Sequence, residues 1–376
     1  MKNHKRLLPK FLLGLLCCSS VMVLSAQAAT DAQAKAITAA YQAAYDQWAR
    51  ELESATDVRS REAVLQKRPD PRTYAHKLKN LLRSDLANDW SLKYGAWLLE
   101  NDYDISPESQ RALLNAVEKY HLKSPELGPF CISMVHLNQR GEQPRPGTIP
   151  LESRGMKLLE EIKKQNPKPE VQGQAALALS IMLGGLGDHG NIMRQRMTNL
   201  KEAIIKSADV RIGDITVADV ARDELYKITH LTKGRIAPEI SGLDSASRPL
   251  TLSSFRGKVV MLVFWSSWDK DTARLLPMLR KSVESQAGKP FVVLGVNRDT
   301  LANLRALEGD RLVTWRNFSD PQQDISKAYR IASWPYCLVL DQEGAIAYRG
   351  APGSFADAVA NNLLLTESSA PATQPE

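Results

Sequence analysis

The chain has 376 residues, 43% hydrophobic and 24% charged, a balance that fits globular structure and a length that allows two domains. Its formal charge is +7, but Lys2, Lys5, Arg6 and Lys10 supply four of those charges, and without them the remainder carries about +3 (7 − 4). That modest excess gives no basis for nucleic-acid binding.

The four basic residues open a segment with the layout of an export signal. An apolar run from Phe11 to Leu24 follows them, and Ala26-Gln27-Ala28 then gives the small-x-small pattern cut by a signal peptidase. Residues 1–28 are therefore read as a signal peptide cleaved near Ala28, with a periplasmic or secreted product. An uncleaved anchor is the alternative, although the run is short and one-sided for a membrane span. A lipoprotein reading fails because neither Cys17 nor Cys18 sits in a lipobox. After cleavage no membrane span remains, and the cysteines fall to two, Cys131 and Cys337. In an oxidising compartment these form one long-range disulfide or stay as two buried thiols; the sequence leaves both open.

From residue 30 to 232 the hydrophobic period is helical. The pattern predicts helices over Ala32–Leu52, Thr73–Leu86, Trp90–Asn101, Pro107–Tyr120, Glu152–Lys164, Val171–Leu183 and Ile215–Leu231, the last with Thr216 placed to cap it. Pro69-Asp70-Pro71, Pro144-Arg145-Pro146-Gly147 and Gly184-Gly185 punctuate them. A bundle or a short α-solenoid of helical repeats is expected, and no repeat is regular enough to name.

The period changes at Lys233-Gly234-Arg235. β-branched runs at Val259–Phe264, Phe291–Val296, Leu312–Trp315, Cys337–Leu340 and Ala345–Tyr348 alternate with helical patterns at Thr272–Val283, Thr300–Leu307 and Gln323–Tyr329. This alternation predicts an α/β domain over 234–362 with helices on both faces of a sheet. Residues 366–376, rich in Ser, Ala, Thr and Pro, are expected to be a disordered tail.

Several ordered motifs in this second half are informative together. Gly234-Arg235-Ile236-Ala237-Pro238-Glu239-Ile240, Leu252 to Val260, Phe264-Trp265-Ser266-Ser267-Trp268, Phe291 to Asn297, Ser333-Trp334-Pro335-Tyr336 and Asp341-Gln342-Glu343-Gly344 occur in that order. The stretch resembles the TlpA-like and AhpC/TSA-type redoxins, which have the thioredoxin fold. The resemblance implies a cis-proline loop at Trp334-Pro335 and thiol–disulfide chemistry at a Cys-x-x-Cys after Trp268. At that place this sequence has Asp269-Lys270-Asp271-Thr272. Trp268 before it and Pro277 after it fix the alignment. The family's glutamate six residues past the first cysteine corresponds to Leu275, and the buried aspartate of thioredoxins to Val263.

Disulfide exchange needs a thiolate to attack and a second thiol to resolve the mixed disulfide. Asp269 and Thr272 can do neither. The plainest reading of Asp269 and Asp271 is structural, a cap and a first-turn charge at a helix start, contributing ~1 kcal/mol and ~0.3–1 kcal/mol. Three uses of the domain stay open. It binds an exported protein or extended peptide along the cis-proline loop, with Trp268, Trp334, Pro335 and Tyr336 lining the groove. Alternatively Cys337, alone or with Cys131, is a working thiol of an oxidoreductase or peroxidase. The third is a metal or acid–base role for the carboxylates, weakened because the last histidine, His230, precedes the domain. No cofactor is implied.

Overall fold

The computed structural model describes residues 15–56, 58–138, 149–269 and 271–368. The basic start of the expected signal peptide and the end of the expected tail lie outside them, as does Lys270. The chain divides into two compact units. One comprises the helical residues up to Leu186 with Gln195–Ala218; the other comprises Gly187–Arg194 and the residues from Asp219 onward.

The first unit is helical: α1 (Leu15–Ser54), α2 (Val58–Leu65), α3 (Pro71–Leu82), α4 (Ser91–Asn101), α5 (Pro107–Ala116), α6 (Gly128–Ser133), α7 (Leu151–Gln165), α8 (Pro169–Gly184) and most of α9 (Gly190–Ser207). Local chemistry sets the starts. Asp70 accepts from the Arg72 N–H before α3, and Ser106 from the Ser109 N–H before α5, each with proline as the next residue. Helix α8 buries residues around its whole circumference, Val171 through Ser180, which makes it the centre of this unit. No described helix is long and apolar enough to cross a membrane.

Helix α9 was not expected. Its buried residues include Arg196 and Asn199 beside Leu200 and Ala203, so no apolar stripe announces it. A two-residue hairpin, β1 (Arg211–Ile212) with β2 (Ile215–Thr216), replaces the first residues of the last expected helix, which begins at Val217 as α10 (Val217–His230). The second compact unit takes in residues from Asp219, before the expected limit at 232. Leu231 and Tyr226 join the apolar core of the second unit, and Arg330 pairs with Asp223 at 2.9 Å. The C-terminal end of α10 therefore contributes to the core of the sheet domain.

The second unit is built on a five-stranded sheet of order β7-β6-β5-β8-β9, with β5 (Val259–Trp265), β6 (Phe291–Asn297), β7 (Arg316–Ser319), β8 (Tyr336–Leu340) and β9 (Ile346–Gly350). β5 runs parallel to β6 and antiparallel to β8. A separate hairpin, β3 (Ser241–Leu243) with β4 (Pro249–Thr251), precedes it. All seven residues of β5 are buried, because the sheet is covered on both sides. Val260, Leu262 and Phe264 enter one core; Val259, Met261, Val263 and Trp265 enter the other, with α11 (Thr272–Ser285), α12 (Leu301–Gly309) and α14 (Ser354–Ser368). The short helix α13 (Asp324–Ala328) completes the set.

Two expectations are corrected here. The strand expected at Leu312–Trp315 is a loop whose Val313 and Trp315 fill the core, and pairing with β6 starts at Arg316. The expected tail begins as helix, since α14 runs to Ser368.

Candidate functional site

The site lies where β5 ends. The parallel register sets Trp265 of β5 opposite Asn297 of β6, so the residues that follow each strand emerge side by side: Ser266 to Asp269 on one, Arg298 and Asp299 on the other. On the other flank β8 begins one residue after a cis peptide bond between Trp334 and Pro335, with Tyr336 opposite Phe264. Three connections therefore converge at the head of α11.

The Ser266–Thr272 turn is tied down from within. The Ser266 hydroxyl donates to the Asp269 carboxylate, and the Thr272 hydroxyl donates to the Ser266 carbonyl. Asp299, buried, accepts from the Ser267 N–H at 3.0 and 3.2 Å, while Asn303 donates to the Ser267 hydroxyl at 2.8 Å. Neither aspartate of the turn acts as the expected cap. Asp271 occupies the N-cap position of α11 without accepting from a helix N–H, and its carboxylate pairs with the Arg274 guanidinium of the first turn instead. The first-turn N–H groups of Arg274 and Leu275 go to the Asp271 main-chain carbonyl.

Asp269 turns to Arg298. The Arg298 Nη2 donates to both carboxylate oxygens at 3.1 and 3.4 Å, and the two side chains are only 13% and 15% exposed. The guanidinium carbon sits 4.0 Å from the centre of the Trp268 ring and 4.1 Å from that of Trp334. Arg298 thus lies between two indoles, with Asp269 at its edge. Each cation–aromatic contact stabilises by ~0.5–2 kcal/mol, more as it is desolvated. Burial pulls the Arg298 pKa down from its ordinary value, opposed by the charge and hydrogen bond of Asp269. It remains a cation at any ordinary pH. Its Nε is buried with no partner among the described residues.

The sequence placed Trp268, Asp269, Thr272, Trp334, Pro335 and Tyr336 around this point, and all of them come together there. Trp268 is the most open at 38% exposure; Trp334, Pro335 and Tyr336 are half-buried, with Trp334 also against Phe264. Arg298 was missed. Its only signal was indirect: the residue after β6 must lie beside the end of β5 in a parallel pair.

The two cysteines do not join the site. Cys337 is the second residue of β8, opposite Val263 and within the apolar core that includes Leu275, Ala356 and Ala360. Burial pushes its thiol up to about 12. Cys131 belongs to α6 of the helical unit; it too is buried, with its thiol pKa raised by desolvation. Both are free thiols. No cluster of three or more His, Cys, Asp or Glu side chains able to hold a metal occurs among the described residues.

A central strand with parallel and antiparallel neighbours, a helix starting at its end, and a cis-proline loop beside that helix define a thioredoxin-fold domain. A model of the AhpC/TSA family matches residues 233–349. Thioredoxin-like protein YneN of Bacillus subtilis (strain 168) is 27% identical over 120 residues, covering 31% of this chain and 69% of that protein. The thiol-disulfide oxidoreductase ResA of Geobacillus kaustophilus is 26% identical over 120 residues, covering 31% and 68%. Among solved structures, the thioredoxin domain of a thiol-disulfide oxidoreductase from Bacteroides vulgatus is similar at 25% identity. That match covers 35% of this chain and 98% of that one, with a TM-score of 0.33. The C-terminal unit thus carries a redoxin-type domain of the thioredoxin fold.

Proposed function

We propose that this is an exported redoxin-fold protein that no longer exchanges disulfides and instead binds an extended protein segment along the Trp334-Pro335 loop. The observation that carries this reading is the Asp269–Arg298 ion pair held between Trp268 and Trp334. It stands at the head of α11, where the resemblance calls for a reactive thiol. A carboxylate committed to a guanidinium cannot attack sulfur.

The loop itself keeps what a strand-like ligand needs. Among the described residues no backbone hydrogen bond joins Ala332, Ser333 or Trp334 to another backbone group, so their main-chain groups are open for strand addition. The alternative, chemistry at Cys337, is disfavoured by burial and by a thiol pKa near 12, which leaves almost no thiolate near neutrality. Export is supported by the layout of residues 1–28 and accords with relatives such as ResA. The extents of the helical domain and the redoxin domain are likewise proposed from the sequence.

Insulin reduction tests the chemistry. The wild-type protein should give no dithiol turnover, and Asp269→Cys with Thr272→Cys should gain at least weak turnover, since the rest of the turn is intact. Turnover by wild type that is lost in Cys337→Ser would overturn the proposal.

A further inference from the structure

Resting on that binding reading, we infer that Arg298 is the residue through which the site reads its ligand, donating from Nη1 to an uncharged main-chain carbonyl of the bound segment. Three observations lead there. Nη2 is committed to Asp269, whereas no described residue accepts a hydrogen bond from Nη1. Trp268 and Trp334 cover the two faces of the guanidinium, so a ligand can approach only in its plane. Trp334 belongs to the Ala332–Trp334 loop, whose main-chain groups are themselves unpaired among the described residues. The arrangement presents a planar donor and an open strand edge together.

Charge selects the class of acceptor. Around the head of α11 the sequence places Asp269, Asp271 and Asp299 against Lys270, Arg274 and Arg298, three against three. Arg298 already has one carboxylate partner, and the Asp299 carboxylate faces the same loop through its bonds to Ser267. A second anion gains little from a guanidinium whose charge is already matched, and it must also approach two carboxylates. A peptide carbonyl meets no such repulsion, and the donor it meets is ionised, which makes the bond stronger than a neutral one. The site is therefore sequence-tolerant and indifferent to ligand charge. Its affinity should barely respond to salt.

Capped peptides of equal length, uncharged, acidic or basic, are titrated against the full mature chain, with indole fluorescence as the signal. The uncharged peptide should bind, with little change between low and high salt. An ester in place of one backbone amide, a weaker acceptor, should then be scanned along it. At one position the ester should lower wild-type affinity by about ten-fold or more. In Arg298→Lys, whose rounded ammonium does not fill the slot between the indoles, that position should lose its effect. Selective, salt-sensitive binding of the acidic peptide would overturn the assignment of an uncharged acceptor. An undiminished ester effect in Arg298→Lys would overturn the role of Arg298 and leave the groove reading intact. Failure of all three peptides to bind would overturn both.

Discussion

Breaking the Asp269–Arg298 pair should expose how much of the site depends on it. Asp269→Ala leaves a guanidinium that is mostly buried and without its counter-ion. Removing one partner of a fully buried pair costs about 3–5 kcal/mol, and with 13–15% exposure on the two side chains the cost falls below that range, to about 2 kcal/mol. Arg298→Ala leaves Asp269 similarly stranded and also removes two stacking contacts of ~0.5–1 kcal/mol each, for a total of about 3–4 kcal/mol. The double variant strands neither charge, so its cost falls below the sum by about 4 kcal/mol. Hydrogen exchange measured on β5 and β8 peptides during a urea titration of the full chain reads this unit separately from the helical one. A coupling below about 0.5 kcal/mol would refute the argument, since it would mean that water and not the partner solvates each charge.

Cys337 gives a pH-dependent test. Burial raises its thiol from 9.0 to about 12, so its contribution to stability is fully present below pH 9 and is lost as pH rises toward 12. Cys337→Ala should flatten the alkaline loss of stability of β8 over that window, and wild-type Cys337 should resist alkylation at neutral pH until the domain unfolds. Gly295→Ala tests the core beneath the site. A Cβ there would collide with Asn317 Oδ1 and lie 2.7 Å from Trp265 Nε1, two atoms joined by a buried 3.0 Å hydrogen bond. The substitution should cost about 2–4 kcal/mol in urea unfolding, from overpacking and the broken bond; a cost under about 1 kcal/mol would show that the pair relaxes freely.

The fold of the second unit was legible because its strands are short, β-branched and set off by glycine and proline turns, and its motifs occur in a recognisable order. The cis-proline loop, the empty dithiol positions and the burial of Cys337 could all be read the same way. What could not be read was the partner of Asp269. A cap is a local property, and sequence reasoning assigned the carboxylate to the nearest helix start. The actual partner lies 29 residues away and is brought close only by the register of β5 against β6. The same limit explains α10. Its apolar face was visible, but a periodicity says only that a face is covered, not that its last residues, Tyr226 and Leu231, join the core of the sheet unit. Helix α9 was missed because it buries Arg196 and Asn199 where the pattern looks for apolar residues.

The character of the substitution at the α11 head bears on whether the site decayed or was rebuilt. Once the thiols are gone, nothing requires charge there, and replacing a buried ion pair by apolar side chains is often neutral or stabilising. Unconstrained drift would therefore tend to fill the gap between Trp268 and Trp334 with an aliphatic residue. Instead the chain keeps Arg298 between the rings with a donor unsatisfied, at a cost of about 1–3 kcal/mol for that group. A cost of that size in a protein of ordinary stability is sustained most simply by a use for the same guanidinium, whose Nη1 has no acceptor among the described residues. The same geometry predicts what a restored cysteine would feel. In Asp269→Cys, Arg298 would face the new sulfur and favour its thiolate, so the variant thiol should titrate below the usual 8–9 range, and alkylation followed against pH would reveal it. An ordinary thiol pKa would mean that Arg298 depends on the carboxylate for its position and swings away without it.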